Sequence, residues 1–182
     1  MKTFRVPRLF HELFGKETTR LDLALVLLAS IGGTGLVLWL DQEHLFLLSL
    51  PVLIIILILF ADIFGGVVAN MTKGTSLYYH ERKTLRQIFI IIHIQPIIFA
   101  FLIQSYIIES LFIYIYVLLS STLVNAIRHH HQHQAVAMLM FMMGALILML
   151  SPMPPYVIIF MVFFMMKMII SFACSHTHSR KS

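Results

Sequence analysis

The sequence predicts an all-α integral membrane protein: a six-helix transmembrane bundle with N- and C-termini cytoplasmic, preceded by a short interfacial amphipathic helix. Composition predicts the class, because 59% of the 182 residues are hydrophobic, 12% are charged and the mean hydropathy is +0.91, whereas soluble domains carry roughly 25% charged residues. The lengths of the apolar runs predict the number of spans, and the positions of Lys and Arg predict the orientation.

Six apolar runs come close to the roughly 20 residues that a helix needs to cross the hydrocarbon core. Together they predict one transmembrane domain over 21–174, between an amphipathic segment at 1–20 and a cytoplasmic tail at 175–182. The fifth run is short, and only QSYIIES divides the third from the fourth, which leaves open a longer re-entrant arrangement there. The predicted helices are about 21–40, 44–70, 87–104, 106–127, 135–150 and 154–174.

The segment before the first span carries apolar residues at helical spacing, with charged residues between them. Such a pattern is typical of a helix that lies in the membrane interface, and docking onto a partner protein is the alternative interpretation. The apolar positions are Val6, Leu9, Phe10, Leu13 and Phe14, and the charged ones are Arg5, Arg8, Glu12 and Lys16.

Basic residues are confined to one predicted face of the membrane. All 13 Lys and Arg residues except Lys167 lie before the first helix, in the 2–3 and 4–5 loops or in the tail, whereas DQE, QSYIIES and SPMPP contain none. Because cytoplasmic segments collect Lys and Arg, we expect both termini to be cytoplasmic, in the cell (plasma) membrane. The net charge of +5 is then explained by topology and by attraction to anionic lipid headgroups. No nucleic-acid partner is expected, and a homo-oligomer or a larger membrane complex stays open.

Small residues predict which helices pack closely. Spanning helices associate through small side chains that let their backbones approach. The second helix carries Ala61, Gly65 and Ala69 at four-residue spacing, and the first carries Ala29 and Gly33. We therefore expect the first two helices to pack tightly against each other.

An intramembrane polar site is predicted from residues that are costly in lipid. Asp62, His93 and Lys167 each lie seven or eight residues from the cytoplasmic end of a helix, which at 1.5 Å per residue is roughly 10–12 Å. A charge at such depth costs at least about 2.5–3.5 kcal/mol, so Asp62 is expected to pair with Lys167, with His93 nearby. Asn70, on the same stripe as Asp62, and Asn125 complete the predicted site. The pair could also be purely structural and set the order of the helices.

The histidine tract RHHHQHQ at 128–134 is the most conspicuous polar segment outside the membrane. His129 and His133 have a spacing that suits two-histidine metal coordination, and His80 lies on the same predicted face. A divalent metal is the candidate cofactor, although a histidine tract in a loop is more often a solvated, weakly metal-binding segment. No complete catalytic motif accompanies these histidines.

The 2–3 loop mixes aromatic and basic residues in TKGTSLYYHERKTLR. Such a loop suits recognition of phosphate-bearing headgroups, although interfacial anchors and topology determinants have the same composition. The candidate headgroup contacts are Tyr78, Tyr79, Arg82 and Arg86.

Two functions from different classes fit these observations. The first is a small transporter or channel-like protein whose cytoplasm-facing polar site changes protonation or pairing. The alternative is a metal-dependent membrane-embedded enzyme that acts on a lipid or lipid-linked substrate. An accessory subunit of a membrane complex would need no site chemistry at all.

Overall fold

The computed structural model describes residues 3–80 and 82–173, apart from the side chains at 80 and 83. Helices dominate these residues, in agreement with an all-α membrane protein. The predicted tail at 175–182 lies outside the described residues.

The N-terminal segment forms a hairpin where the sequence predicts a single amphipathic helix. Strand β1 (Thr3–Arg5) pairs antiparallel with β2 (Glu17–Thr19). Between them lie a 3₁₀ turn (Arg8–Phe10) and α1 (His11–Phe14). Pro7, at φ −57° and ψ 146°, and Gly15, at φ 72°, bracket this helical turn and prevent its extension. Helix is therefore restricted to seven residues, and strand pairing satisfies the backbone on either side.

Five helices are long and apolar enough to cross a membrane by length and composition. These are α2 (Arg20–Leu40), α4 (Leu50–Met71), a third span over Thr84–Ile103, α8 (Ile107–Ala126) and a last span over Pro155–Ala173. Helix α9 (His133–Met149) is apolar but has only 17 residues, about 25 Å against a core of about 30 Å. Two short helices, α3 (Gln42–Leu45) and α5 (Lys73–His80), precede and follow α4.

The expected close packing of the first two spans is confirmed. Ser30 of α2 donates a hydrogen bond to the carbonyl of Ala61 in α4, at 2.9 Å. A Cβ placed on Gly33 would lie 2.7 Å from the ring of Phe64, and one on Gly65 would lie 2.1 Å from the hydroxyl of Ser30. Only glycine lets the two backbones approach this closely.

The last span forms the centre of the bundle and begins with α10 (Pro155–Met165). Phe160 stacks on Phe99 at 3.9 Å between ring centroids and meets Phe60 edge-on at 5.3 Å. The start of α10 is held by Asp41, whose carboxylate accepts a hydrogen bond from the backbone N–H of Tyr156 at 2.9 Å. His44 contacts the other oxygen of Asp41 at 2.5 Å.

Two spans depart from regular α-helix. The predicted helix 87–104 is divided into α6 (Lys83–Ile92) and α7 (Gln95–Ile103). His93 has φ −79° and ψ 65°, and Ile94 N–H donates to the carbonyl of Ile92 at 2.8 Å, which is an inverse γ-turn. Pro96 cannot donate a helical hydrogen bond, and this favours a break just before it. In the last span, Met166–Ala173 winds as a π-helix.

The third and fourth spans are separate helices that pack side by side. Gln104 and Tyr106 adopt left-handed backbone conformations, with φ 54° and 60°. Helix α8 then contacts both α7 and α6, so it runs back along the whole third span. The alternative of one longer re-entrant segment does not fit this arrangement.

Candidate functional site

An ion pair joins the second span to the last one inside the bundle. Lys167 Nζ lies 2.7 Å from Asp62 Oδ2. The lysine belongs to the π-helical segment, and its side chain extends across the face of α4 at Gly66. A Cβ on Gly66 would lie 2.5 Å from Lys167 Cε, so the glycine leaves the space that the lysine stem occupies.

Gln95 completes this pair from the interrupted third span. Its amide donates a hydrogen bond to Asp62 Oδ2, and its carbonyl lies 3.5 Å from Lys167 Nζ. The sequence prediction did not include Gln95. Its polar side chain directly before Pro96, within an apolar run, was the available signal.

His93 lies at the break itself, beside the ion pair. Its Nδ1 is 2.5 Å from the carbonyl of Phe89, and because a carbonyl only accepts, Nδ1 carries the proton. The neutral ring then keeps a lone pair on Nε2, where it can accept a proton or a hydrogen bond. The ring interacts electrostatically with both Lys167 and Asp62.

The two charges of the pair are unequally buried. The side chain of Lys167 is 3% exposed, whereas that of Asp62 is 39% exposed. Both donors to the carboxylate use Oδ2, and within residues 3–80 and 82–173 no hydrogen bond to Oδ1 is found. The carboxylate can thus be reached from outside the bundle while the ammonium cannot.

Asn70 lies further along α4. Its side chain lines a small polar cavity at the end of the bundle, and α5 covers this end. Asn70 is 5% exposed, and its Nδ2 has no hydrogen-bond partner among the described residues. The cavity leaves about 10 Å³ for the centre of a water molecule, which is room for about one water. Burial raises the pKa of Tyr79 above its ordinary value, so its phenol stays neutral. The lining residues are Asn70, Thr75, Ser76, Tyr79, Arg86, Ser171 and Phe172.

Asn125 does not join this site, contrary to the sequence prediction. It lines a separate hollow of about 240 Å³ with Gln87, Arg128 and His129. The prediction placed it by helical periodicity alone, which does not determine the neighbour that a helix face meets.

The predicted pair His129 and His133 does not share a helix face, because His129 lies in the turn before α9 and His133 is the first residue of α9. His129 accepts a hydrogen bond from Arg128 at 3.2 Å, and His133 Nδ1 bonds the carbonyl of His130 at 2.8 Å. No group of three or more His, Cys, Asp or Glu side chains that could hold a metal occurs among the described residues. The side chain of His80 lies outside them, so a metal site stays a prediction.

The candidate headgroup contacts divide into two pairs. Tyr79 and Arg86 are each 4% exposed, which corrects their assignment to the surface. Tyr79 packs against Phe89 and Phe172 because its flat ring fits between the ends of the spans. Arg86 donates to the carbonyl of Ala173 at 3.1 Å. Tyr78 and Arg82 are half-buried.

Comparison of the chain with protein-family models, with curated proteins and with solved structures finds no match in any of the three.

Proposed function

We propose that this protein is a small membrane transporter that binds and releases a proton at the site formed by Asp62, Lys167, Gln95 and His93. The observation that carries the proposal is that the ion pair forms where two irregular helices meet. Membrane carriers commonly build their sites from interrupted helices, and π-helical turns are frequent at functional sites. Irregular backbone at membrane depth is tolerated only inside protein or along a polar cavity.

Energetics favour a functional role over a purely structural one. Replacing a buried ion pair with well-packed hydrophobic residues is often neutral or stabilising. A pair kept only to hold helices together could thus be replaced by apolar side chains at little cost. Here Gly66, Gln95 and the π-helical turn all accommodate the pair.

Two groups can take up the proton. Asp62 has a half-buried side chain whose Oδ1 accepts no hydrogen bond from the described residues, and His93 Nε2 carries a lone pair. Protonation of Asp62 removes the charge that holds Lys167 in place. The buried ammonium must then lose its own proton or move toward other polar groups, such as those around Asn70. In the second case, proton uptake is coupled to a movement of the last span.

Topology belongs to the same proposal. We take the α5 end of the bundle as cytoplasmic because cytoplasmic segments collect Lys and Arg. All Lys and Arg residues other than Lys167 lie before the first predicted helix, in the connections that follow the second and fourth predicted helices, or in the tail. Helix α9 is proposed as the sixth span, since local thinning of the bilayer accommodates a short helix at modest cost. Both termini then lie in the cytoplasm, and the plasma membrane is the proposed location.

Proton flux in vesicles tests this proposal. Purified protein is reconstituted with a pH-sensitive dye inside, and pH steps are applied with a panel of amines, amino acids and sugars outside. We expect at least one condition to give flux that Asp62→Leu abolishes and that Glu109→Gln, at an exposed acidic position in α8, leaves unchanged. If no condition gives flux that depends on Asp62 in folded protein, the transport proposal is wrong.

A second candidate function follows from the exposure of Asp62. A carboxylate that is 39% exposed beside the free nitrogen of His93 could act on a lipid or lipid-linked substrate that enters from the bilayer. In this case, incubation with labelled phospholipids should give a product by mass spectrometry that His93→Gln abolishes. The absence of any product that depends on His93 would leave transport alone.

A further inference from the structure

A surface pocket lies between the N-terminal hairpin and α5, close to the ends of three candidate spans. Lys16 precedes the start of α2 at Arg20, Gly74 follows the end of α4 at Met71, and Arg82 precedes the third span at Thr84. Residues within a few positions of the ends of spanning helices lie at the level of the lipid headgroups. The pocket has a volume of about 270 Å³ and is lined by Lys16, Glu17, Gly74, Leu77, Tyr78 and Arg82.

Two glycines let the hairpin approach α5 closely, and residues of the hairpin and of α5 line the pocket between them. Gly15 has φ 72°, and a Cβ there would lie 2.1 Å from the carbonyl oxygen of Gly74. A Cβ on Gly74 would lie 2.4 Å from the carbonyl oxygen of Glu17. Thr75 also donates a hydrogen bond to the carbonyl of Leu13 at 2.7 Å. The hairpin is therefore held in place, and it positions Lys16 beside α5 before any ligand arrives.

The guanidinium of Arg82 is held in a defined position. It lies 4.1 Å above the ring of Tyr78, and its Nη1 donates to the carbonyl of Tyr78 at 2.7 Å. Arginine has five N–H donors in a planar fork that matches the oxygens of phosphate. Among the described residues, the guanidinium makes only the one hydrogen bond to Tyr78, which leaves most of its donors for a ligand. Less entropy is lost on binding because the side chain is already ordered.

We propose that this pocket binds the phosphate group of an anionic phospholipid. Lys16 and Arg82 supply two positive charges, and Glu17 supplies one negative charge whose Oε2 accepts a hydrogen bond from Thr3 at 3.2 Å. The resulting net charge of the lining matches one phosphodiester. The pocket assigns this role to Lys16 and Arg82 rather than to Tyr79 and Arg86.

An apolar surface beside the cations favours a lipid over free phosphate. Leu77 lines the pocket and is 44% exposed. An acyl chain can cover Leu77 while the phosphate contacts the cations, which inorganic phosphate cannot do.

Native mass spectrometry of the full-length protein in detergent tests this site. Phosphatidylglycerol and phosphatidylcholine with identical acyl chains are titrated separately. We expect one phosphatidylglycerol to bind at least about tenfold more tightly than phosphatidylcholine, since charge-assisted hydrogen bonds are strong. Arg82→Gln and Lys16→Gln should each remove most of this preference. Arg8→Gln, which removes a positive charge from the exposed turn outside the pocket, should leave it unchanged.

Three results would overturn the assignment. One is equal binding of the two lipids, and another is a preference that persists in both pocket variants. The third is that inorganic phosphate stabilises the protein, that Arg82→Gln abolishes this stabilisation, and that neither lipid is preferred. The ligand would then be free phosphate. If Arg82→Gln fails to fold, Lys16→Gln decides the outcome, since no hydrogen bond of the Lys16 side chain is found among the described residues. Transport is not required for this site, so the two proposals fail separately.

Discussion

At the level of single residues, the polar site depends on two charges with different access to their surroundings. Lys167 is enclosed, and Asp62 is partly open. Removing one partner of a buried pair leaves the other uncompensated, and the cost depends on how deeply that remaining charge is buried. Glycine has an equally local role at position 66, where the stem of Lys167 occupies the space of a side chain.

Single and double substitutions of the pair should show this asymmetry. Asp62→Leu leaves an enclosed ammonium and should lower the free energy of unfolding by about 3–5 kcal/mol. Lys167→Met leaves a carboxylate that keeps the hydrogen bond from Gln95 and can be neutralised by taking up a proton, so its cost should be smaller. The double variant should recover most of the loss, because no unpaired charge remains. Unfolding in mixed detergent measures all three, and a larger cost for Lys167→Met would contradict the assigned burial.

Gly66→Ala should displace Lys167 from Asp62. The added methyl group would lie 2.5 Å from Lys167 Cε, and such overpacking costs about 1–3 kcal/mol. Any proton flux that depends on the pair should fall in parallel. Gly32→Ala is the matched control, because its Cβ would meet nothing within 4 Å, and it should be neutral or stabilise by about 0.5–1 kcal/mol. Equal effects at the two glycines would show that Lys167 does not occupy this space.

At the level of the elements, helix ends and interruptions determine which side chains meet. The inverse γ-turn at His93 and the π-helical turn after Met166 bring Gln95 and Lys167 to the same carboxylate. At the opposite end of the bundle, Asp41 joins the end of α2 to the start of α10 through the N–H of Tyr156. A carboxylate at a helix N-terminus satisfies a free donor and interacts favourably with the helix dipole.

Asp41→Ala should destabilise the protein by about 0.5–2 kcal/mol, the range for losing a side chain that caps a helix N-terminus. The loss should appear as a lower denaturant midpoint, with loosened contacts between α2 and α10. Glu43→Ala changes an exposed acidic residue two positions away and serves as the control. Similar midpoints for the two variants would mean that the contact between Asp41 and Tyr156 contributes no stability.

At the level of the whole molecule, the number of spans depends on α9. Five helices satisfy the length and hydropathy of a spanning helix, and α9 is shorter. The last span is the most buried of the five, so the other helices surround the segment that carries Lys167. A sixth span would place the histidine tract and the SPMPP loop on opposite sides of the membrane.

Single cysteines on either side of α9 should test this directly. In a Cys174→Ser background, His131→Cys should react with an impermeant maleimide from the cytoplasmic side, and Ser151→Cys from the opposite side. A six-span topology requires this difference because the two positions flank α9. Labelling of both cysteines from the same side would show that α9 does not cross the membrane.

The sequence alone determined the membrane class, the approximate helices and the expectation that Asp62 and Lys167 pair, because hydropathy and buried charge are strong signals that need no knowledge of the fold. Tertiary structure decided the rest. The hairpin at 3–19 depends on Pro7, Gly15 and its docking onto α5, and the divided third span depends on packing around Pro96. Periodicity names the face of a helix but not its neighbour, which is why Gln95 was missed and Asn125 was misplaced. Burial of Tyr79 and Arg86 followed only from how the spans meet.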